Sequence, residues 1–480
     1  MKSTTSALKW SAIERLATQF IQLIIMLFLA RLLGPNAFGL VGMLAVFIAI
    51  AQAFVDSGFS SALIRHTERT EADFSTTFYF NIIVSLCCYF ILFISAPFIA
   101  DFFEQPILSE LLRVLGVVVI INSFAIVQRA KLIITMNFKT QAKASLIGVV
   151  LSCGVGITLA KLGFGVWALV GQTLSQTVIN VLLLNIFLPW WPKTGFSKKS
   201  FDYLFGFGSK LLVAGLLDTI YKNIYQVVIG KQFSASQVGF FTQANQLASV
   251  PAMTLTTVIQ RVTYPMLSNI QNDVNKFENT YVLTLRMAAL IVFPLIIGLA
   301  ISAEPFIDIV LGEQWLPAAE LLVILCFSFM LYPIHAINLN LLNVKGRSDI
   351  FLKLEIVKKS LITLMLFITV PMGVKAMCIG MVINSYIAFF INSYYTGQFS
   401  RLKTGQQLAA LMPIYISVMV CASTTYLAAN YITTKFTLSA YIHLLINLAM
   451  MPILYIIIVR STQRDLYSQI MAIIFKRKVS

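Results

Sequence analysis

Fourteen mostly apolar stretches follow one another along this chain, separated by short polar or basic segments. They cover approximately 9–33, 38–64, 75–100, 108–134, 143–162, 164–188, 204–230, 237–262, 281–303, 317–344, 351–370, 374–398, 408–429 and 440–459. A helix needs about 20 apolar residues to cross a hydrocarbon core about 30 Å thick. In hydrocarbon every backbone N–H and C=O must be satisfied within its own segment, so each run is predicted to be a helix. The expectation is an all-α membrane protein with about 14 transmembrane helices. Composition agrees, with 58% hydrophobic and 11% charged residues, against about 45–50% and about 25% in soluble domains. The runs and their connectors use nearly all of the 480 residues, which leaves no room for a sizeable soluble domain. The first run is long and has no small-residue cleavage site close behind it, so it reads as an uncleaved span.

The formal net charge is +16. Nucleic acid is one class of partner for a basic chain, but here Lys and Arg fall mostly between the apolar runs, so topology explains them better and no nucleic-acid partner is expected. The termini and the gaps after even-numbered runs hold twenty of them: Lys2, Lys9, Arg65, Arg69, Lys139, Lys143, Lys193, Lys198, Lys199, Lys276, Lys345, Arg347, Lys353, Arg401, Lys403, Arg460, Arg464, Lys476, Arg477 and Lys478. The remaining gaps hold four: Lys161, Lys231, Lys375 and Lys435. The positive-inside rule then puts both termini in the cytoplasm. Trp190 and Trp191, in a basic and Pro-broken segment after run six, are expected at the lipid headgroup level.

The six cysteines all sit in apolar runs without zinc-ligand or CxxC spacing, and read as small core residues. The three histidines, His66, His335 and His443, are far apart. No metal site, cofactor or catalytic residue is expected. There is no GxxxxGK[ST] phosphate loop, so ATP hydrolysis by this chain is not expected either.

The two halves echo one another. Ala30 to Gly39 (ARLLGPNAFG) matches Gly230 to Gly239 (GKQFSASQVG) in layout, Ala96-Pro97-Phe98-Ile99 matches Glu304-Pro305-Phe306-Ile307, and Gly163 to Val166 matches Met372 to Val374. The offset stays near 200–209 residues, and an even number of spans per half gives repeats of like orientation. The expected organisation is an N-lobe over 1–190, a cytoplasmic linker over 191–203, a C-lobe over 204–400, and two extra helices with a basic tail over 401–480.

Several ordered motifs carry a family likeness. They are Lys9-Trp10-Ser11-Ala12-Ile13, Leu29-Ala30-Arg31-Leu32-Leu33, Phe38-Gly39-Leu40, Asp56-Ser57-Gly58-Phe59 with Leu63-Ile64-Arg65, Arg261 to Pro265 with Asn269-Ile270-Gln271, and Gly312-Glu313-Gln314-Trp315 with Leu322 to Cys326. Together they resemble the polysaccharide transporters of the multidrug/oligosaccharidyl-lipid/polysaccharide flippase superfamily, closest to colanic-acid-type exopolysaccharide exporters. The resemblance implies two pseudo-symmetric six-helix lobes around a central cavity, and alternating access. It implies an undecaprenyl-diphosphate-type lipid-linked oligosaccharide as substrate, moved to the outer leaflet of a bacterial inner membrane, with other glycan-assembly membrane proteins as partners.

Such a cargo has an anionic diphosphate, a polar glycan and a long lipid tail. The head needs a wet, cationic path while the tail stays in the bilayer. Arg and Lys suit the diphosphate, and ionisable residues inside spans are functional candidates by default. Arg15, Lys210, Lys222, Arg129 and Arg261 are the candidates for the diphosphate. Gln19, Gln22, Asn223, Gln243, Asn245 and Gln246 are the candidates for glycan hydroxyls. Asp218 lies about 20 Å into its span at 1.5 Å per residue, and Lys222 stands one turn on, placed to pair with it. Asp56, within expected reach of Arg15, and Asp218 are the candidates for coupling to H+ or Na+. The bland alternatives are snorkelling for Arg129 and Arg261 and interhelical hydrogen bonds for the amides. Rival functions are a multidrug antiporter, which a carboxylate-rich cavity would favour, a membrane glycan polymerase or glycosyltransferase, which would need a large outer loop, and a scaffold for glycan assembly.

Overall fold

Chains that satisfy their backbone within each segment have one regular option, and this one takes it: among the described residues the regular structure is helical throughout. The structure is a computed structural model that describes residues 2–56, 58–400 and 402–468, the side chains of residues 2–16 apart. Two compact units divide the chain, Met1–Thr242 and Gln243–Ser480.

The first unit holds α1 (Lys2–Asp56), α2 (Phe59–Arg65), α3 (Glu71–Phe102), α4 (Ile107–Ser123), α5 (Ile126–Ile134), α6 (Phe138–Lys161), α7 (Trp167–Phe187), α8 (Lys198–Gln232) and the start of α9 (Ala235–Asn269). The second holds the rest of α9 with α10 (Val274–Ile301), α11 (Ala303–Leu311), α12 (Leu316–Met330), α13 (Tyr332–Val344), α14 (Ser348–Thr369), α15 (Val374–Phe399), α16 (Thr404–Lys435) and α17 (Ala440–Thr462).

By length and apolarity ten helical segments among the described residues can cross a membrane, or eleven if α4 and α5, bent by 44°, count as one. The fourteen runs differ from this number for local reasons. Runs one and two lie in one 55-residue stretch, α1, broken at Gly34 with φ 75° and ψ 174°. Only glycine enters that backbone region without a Cβ penalty, and Pro35 then suits the first turn of the next arm. Runs eight and eleven form α9 and α14. Both are full-length helices, but amides in the one and charges such as Asp349, Lys353, Glu355, Lys358 and Lys359 in the other keep them outside the apolar set.

The repeat found in the sequence has a direct structural consequence inside the first unit. A Cβ on Gly39 would lie 1.7 Å from the Ala235 carbonyl oxygen, and one on Gly239 would lie 2.0 Å from that of Pro35. Gly39 matches Gly239 in the repeat, and Pro35 matches Ala235. The contact is therefore reciprocal, with each glycine admitting the backbone of its counterpart's turn.

Helix starts are held by side chains. Thr70 and Asp73 form a capping box on α3, and Ser197 and Asp273 cap α8 and α10. The segment before α8 docks on α3: the Ser197 N–H donates to Thr76 Oγ1 at 3.0 Å. Trp190 is buried rather than set among headgroups. Its Nε1 donates to Glu71 Oε2 at 2.9 Å, and Lys131 covers its ring at 4.6 Å. Trp191 is 65% exposed.

In the second unit a polar cluster crosses the core. His335 Nε2 meets Ser385 Oγ at 3.1 Å, and Asn392 Nδ2 donates to His335 Nδ1 at 3.4 Å. The Tyr281 hydroxyl donates to Asn338 Oδ1. With both ring nitrogens engaged, His335 reads as a structural residue. Helices α16 and α17 seat on α10, where Tyr455 donates to the Leu290 carbonyl at 3.0 Å and Asn447 to that of Ile301 at 3.1 Å.

Candidate functional site

The break at Phe124–Ala125 between α4 and α5 brings two polar residues seven apart onto one wall. Across it, Arg129 Nη2 donates to Asn122 Oδ1 at 2.9 Å, and it also reaches Asn180 Oδ1 on α7 at 3.5 Å. Asn122 Nδ2 donates to Gln52 Oε1 at 3.3 Å, and Gln52 Nε2 to Asp56 Oδ1 at 3.4 Å. One hydrogen-bonded chain thus links Asp56, Gln52, Asn122, Arg129 and Asn180 across four helices. It borders a cavity of about 230 Å³ walled also by Gln141 and Ser145 of α6 and Gln176, Thr177 and Leu184 of α7. Asn180 is seven residues from the end of α7, so the cavity lies about 10 Å in along that helix.

No ion pair among the described residues includes Arg129. Asp56 acts on it through space and through the amide chain. A guanidinium has five N–H donors, and both acceptors here fall on Nη2. Gln141 Oε1, on the facing helix, is buried without a hydrogen-bond partner. The arrangement presents one cation in no direct ion pair, several amides and an unused acceptor to a small polar space. Chemically it is suited to hold an anion that also carries hydroxyl groups.

Of the residues expected from sequence, the structure brings Arg129 and Asp56 into this one network. Asp218 and Lys222 pair as expected, Lys222 Nζ to Asp218 Oδ2 at 2.6 Å, with side chains 49% and 66% exposed. Lys210 is exposed on the same helix, and Asn223 turns back onto the Thr219 carbonyl at 2.8 Å. Gln19 is partly buried and Gln22 exposed on α1, while the side chain of Arg15 lies outside the described residues. In the second unit Gln243 is 1% exposed, with neither amide atom partnered. Asn245 and Gln246 are partly buried, and Arg261 is exposed. Sequence reasoning passed over Gln141, Gln176 and Asn180. A signal was present: Gln172, Gln176 and Asn180 recur every fourth residue, which sets an amide stripe along one face of α7.

The second unit has its own concavity, about 780 Å³, between α10–α12 and α16–α17. Glu304, Asp308, Glu313 and Glu320 line it beside apolar residues, with His443 and Tyr426 opposite. Glu320 pairs with Lys375 at 2.9 Å. No group of three or more His, Cys, Asp or Glu among the described residues is arranged to hold a metal ion.

Comparison with known proteins locates this architecture. Residues 28–320 match the family described as polysaccharide biosynthesis protein. The chain is 26% identical over 464 residues to the teichuronic acid biosynthesis protein TuaB of Bacillus subtilis, covering 95% of each. It is 25% identical over 403 residues, 81% of each, to the lipopolysaccharide biosynthesis protein WzxC of Escherichia coli. With the succinoglycan biosynthesis transport protein ExoT of Rhizobium meliloti it shares 24% over 327 residues, 68% of this chain and 66% of the relative. The fold is similar to the lipid II flippase MurJ in an inward closed conformation, with TM-score 0.75, 14% identity and coverage of 95% of this chain and 99% of that one. It is also similar to an inward-facing multidrug resistance MATE family transporter, with TM-score 0.60, 20% identity and coverage of 81% and 98%. An all-helical, many-span membrane fold of this transporter type, matched by the family over more than half of its length, makes the chain a member of the polysaccharide biosynthesis protein family.

Proposed function

We propose that this chain is a flippase that moves a lipid-linked oligosaccharide across a bacterial cytoplasmic membrane for surface polysaccharide assembly, and that it catalyses no covalent step. The observation that carries the reading is Arg129, a cation in no direct ion pair that faces a polar cavity inside a helix bundle built for lipid. Such a group is expensive at membrane depth unless an anion or water meets it. Family membership and the relatives named for teichuronic acid, lipopolysaccharide and succinoglycan biosynthesis support the same reading.

On this reading fourteen spans form two six-helix lobes and a C-terminal pair, with both termini in the cytoplasm. The cargo is a polyprenyl-diphosphate-linked glycan. Lys210, Lys222, Arg261 and Arg15 serve its diphosphate, and Arg129 serves an anionic part of the head. Gln19, Gln22, Asn223, Gln243, Asn245 and Gln246 serve glycan hydroxyls. Asp56 and Asp218 couple transport to a proton or sodium gradient.

One observation favours a second reading, export of organic cations: the carboxylates around the 780 Å³ cavity of the second unit. Leaflet-resolved accumulation of lipid-linked oligosaccharide in cells lacking the protein separates the two. Build-up on the cytoplasmic leaflet with loss of export is expected. Normal arrival at the outer leaflet, with retention of a toxic cation, would replace the flippase by the cation exporter.

A further inference from the structure

We infer that the Arg129 cavity is a subsite for a single sugar ring that carries a carboxylate, so that this transporter selects acidic repeat units. The inference rests on the flippase reading and adds the chemistry of the glycan to it.

Size, charge and hydrogen-bond sense each narrow the ligand. A cavity of about 230 Å³ falls below the ~300–1,000 Å³ of pockets for drug-sized molecules. The space suits one sugar ring. The charge is a single guanidinium. Its Nη2 is already taken by Asn122 and Asn180, which fix the plane of the group and leave the N–H groups of Nε and Nη1 for a ligand. A carboxylate matches a planar guanidinium edge by paired hydrogen bonds.

The sense of the remaining groups excludes an anion that only accepts. Gln141 Oε1 is a buried acceptor without a donor, and such a group costs about 1–3 kcal/mol when left unmade. A diphosphate diester brings no donor to it, whereas a sugar hydroxyl does. The amides of Gln176 and Asn180 and the hydroxyl of Ser145 offer mixed donors and acceptors around the same space, as a ring of hydroxyls requires. The cation and the orphan acceptor sit on different helices, α5 and α6, so one ligand must span both. A carboxylate at one end of a hydroxylated ring does so.

The test uses the full-length protein in liposomes and two lipid-linked oligosaccharides that differ in one ring, a uronic acid or the matching neutral hexose. Methyl glucuronide, methyl glucoside and inorganic pyrophosphate are the soluble probes. The expected result is an acidic-to-neutral rate ratio of at least about ten, the size of one charge-assisted hydrogen-bond pair. Methyl glucuronide should compete with the acidic lipid where methyl glucoside and pyrophosphate do not. Arg129→Gln should bring the ratio to about one, Arg129→Lys should keep part of it, and Gln141→Leu, which loses an acceptor for a hydroxyl that both rings carry, should slow both lipids by about fivefold and leave the ratio in place. The wild-type ratio does not depend on whether the variants fold. Equal rates for the two lipids, or competition by pyrophosphate as strong as by glucuronide, would overturn the sugar subsite and leave the flippase standing. Arg129-dependent binding of methyl glucuronide by a protein that moves neither lipid would keep the subsite and sink the flippase.

Discussion

The two units of this chain solve the same problem with opposite chemistry. Both must keep polar groups inside a lipid-fitted helix bundle, where each unsatisfied one is expensive. The first gathers several of them around a cation, Arg129, that lines one small cavity. The second ties its deepest groups to one another, Tyr281 to Asn338 and His335 to Ser385 and Asn392, and sets its carboxylates around a larger cavity. Satisfied networks rigidify a core, and each unit also keeps buried amide atoms without a partner, on Gln141 in the first and Gln243 in the second. The difference is one of charge, a cation lining the first unit's cavity and carboxylates lining the second's.

The comparison is sharpest at glycines. Gly39→Val in the first unit drives a side chain into the Ala235 carbonyl, where the Cβ alone falls at 1.7 Å. Backbone cannot yield there without separating the two turns, so a loss of about 1–3 kcal/mol or more is expected, with transport abolished. Gly298→Ala in the second unit meets the sulfur of Met451 at 3.1 Å. A thioether swings aside, so less than about 1 kcal/mol is expected for a single added methyl. Thermal unfolding of both variants in detergent, with translocation in liposomes, checks the pair. Equal shifts would mean that the reciprocal contact is no tighter than ordinary packing.

Next in size is the polar core. Tyr281→Phe leaves Asn338 Oδ1 buried without its donor, which costs about 1–3 kcal/mol. Translocation per folded molecule should hold within about twofold, a change of about 0.4 kcal/mol in barrier. Arg129→Gln should do the reverse. It removes a buried charge held by no direct ion pair, so stability holds or rises by up to about 1 kcal/mol, while translocation of the preferred cargo falls by about tenfold. Melting temperature and specific rate, measured on the same samples, separate the two patterns. A fall in stability with Arg129→Gln would make it a structural residue like Tyr281.

The bundle and its apolar helices were legible in the sequence because run length and backbone satisfaction leave few options. The Asp218–Lys222 pair was legible too, because i and i+4 share a helix face whatever surrounds them. The break at Gly34-Pro35 marks the end of the first run, and the common offset of the repeat anticipates which turns answer one another. What sequence could not give is convergence. Arg129 and Asn180 lie fifty-one positions apart, and nothing along the chain shows that no carboxylate follows Arg129 into its pocket. Trp190 misled for the same reason. An indole beside basic residues suits a headgroup layer, but Glu71, 119 positions away, offers its N–H a partner inside the protein.

The smallest effects belong to the open pair on α8. Its side chains are about half and two-thirds exposed, and exposed pairs contribute about 0–1 kcal/mol, so neither Lys222→Ala nor Asp218→Asn should move the melting temperature much. The two should still part in transport. With Lys222 serving the anionic head, its removal weakens one exposed contact, and translocation slows by about twofold to fivefold, about 0.4–1 kcal/mol in barrier, with or without an ion gradient. With Asp218 as the coupling carboxylate, Asp218→Asn leaves the rate without a gradient unchanged and removes the acceleration that a proton or sodium gradient provides. Rates measured in liposomes with and without each gradient decide it. If both variants slow transport alike and keep the gradient response, the pair is a structural clasp on α8, and coupling passes to Asp56, on the network that already holds Arg129.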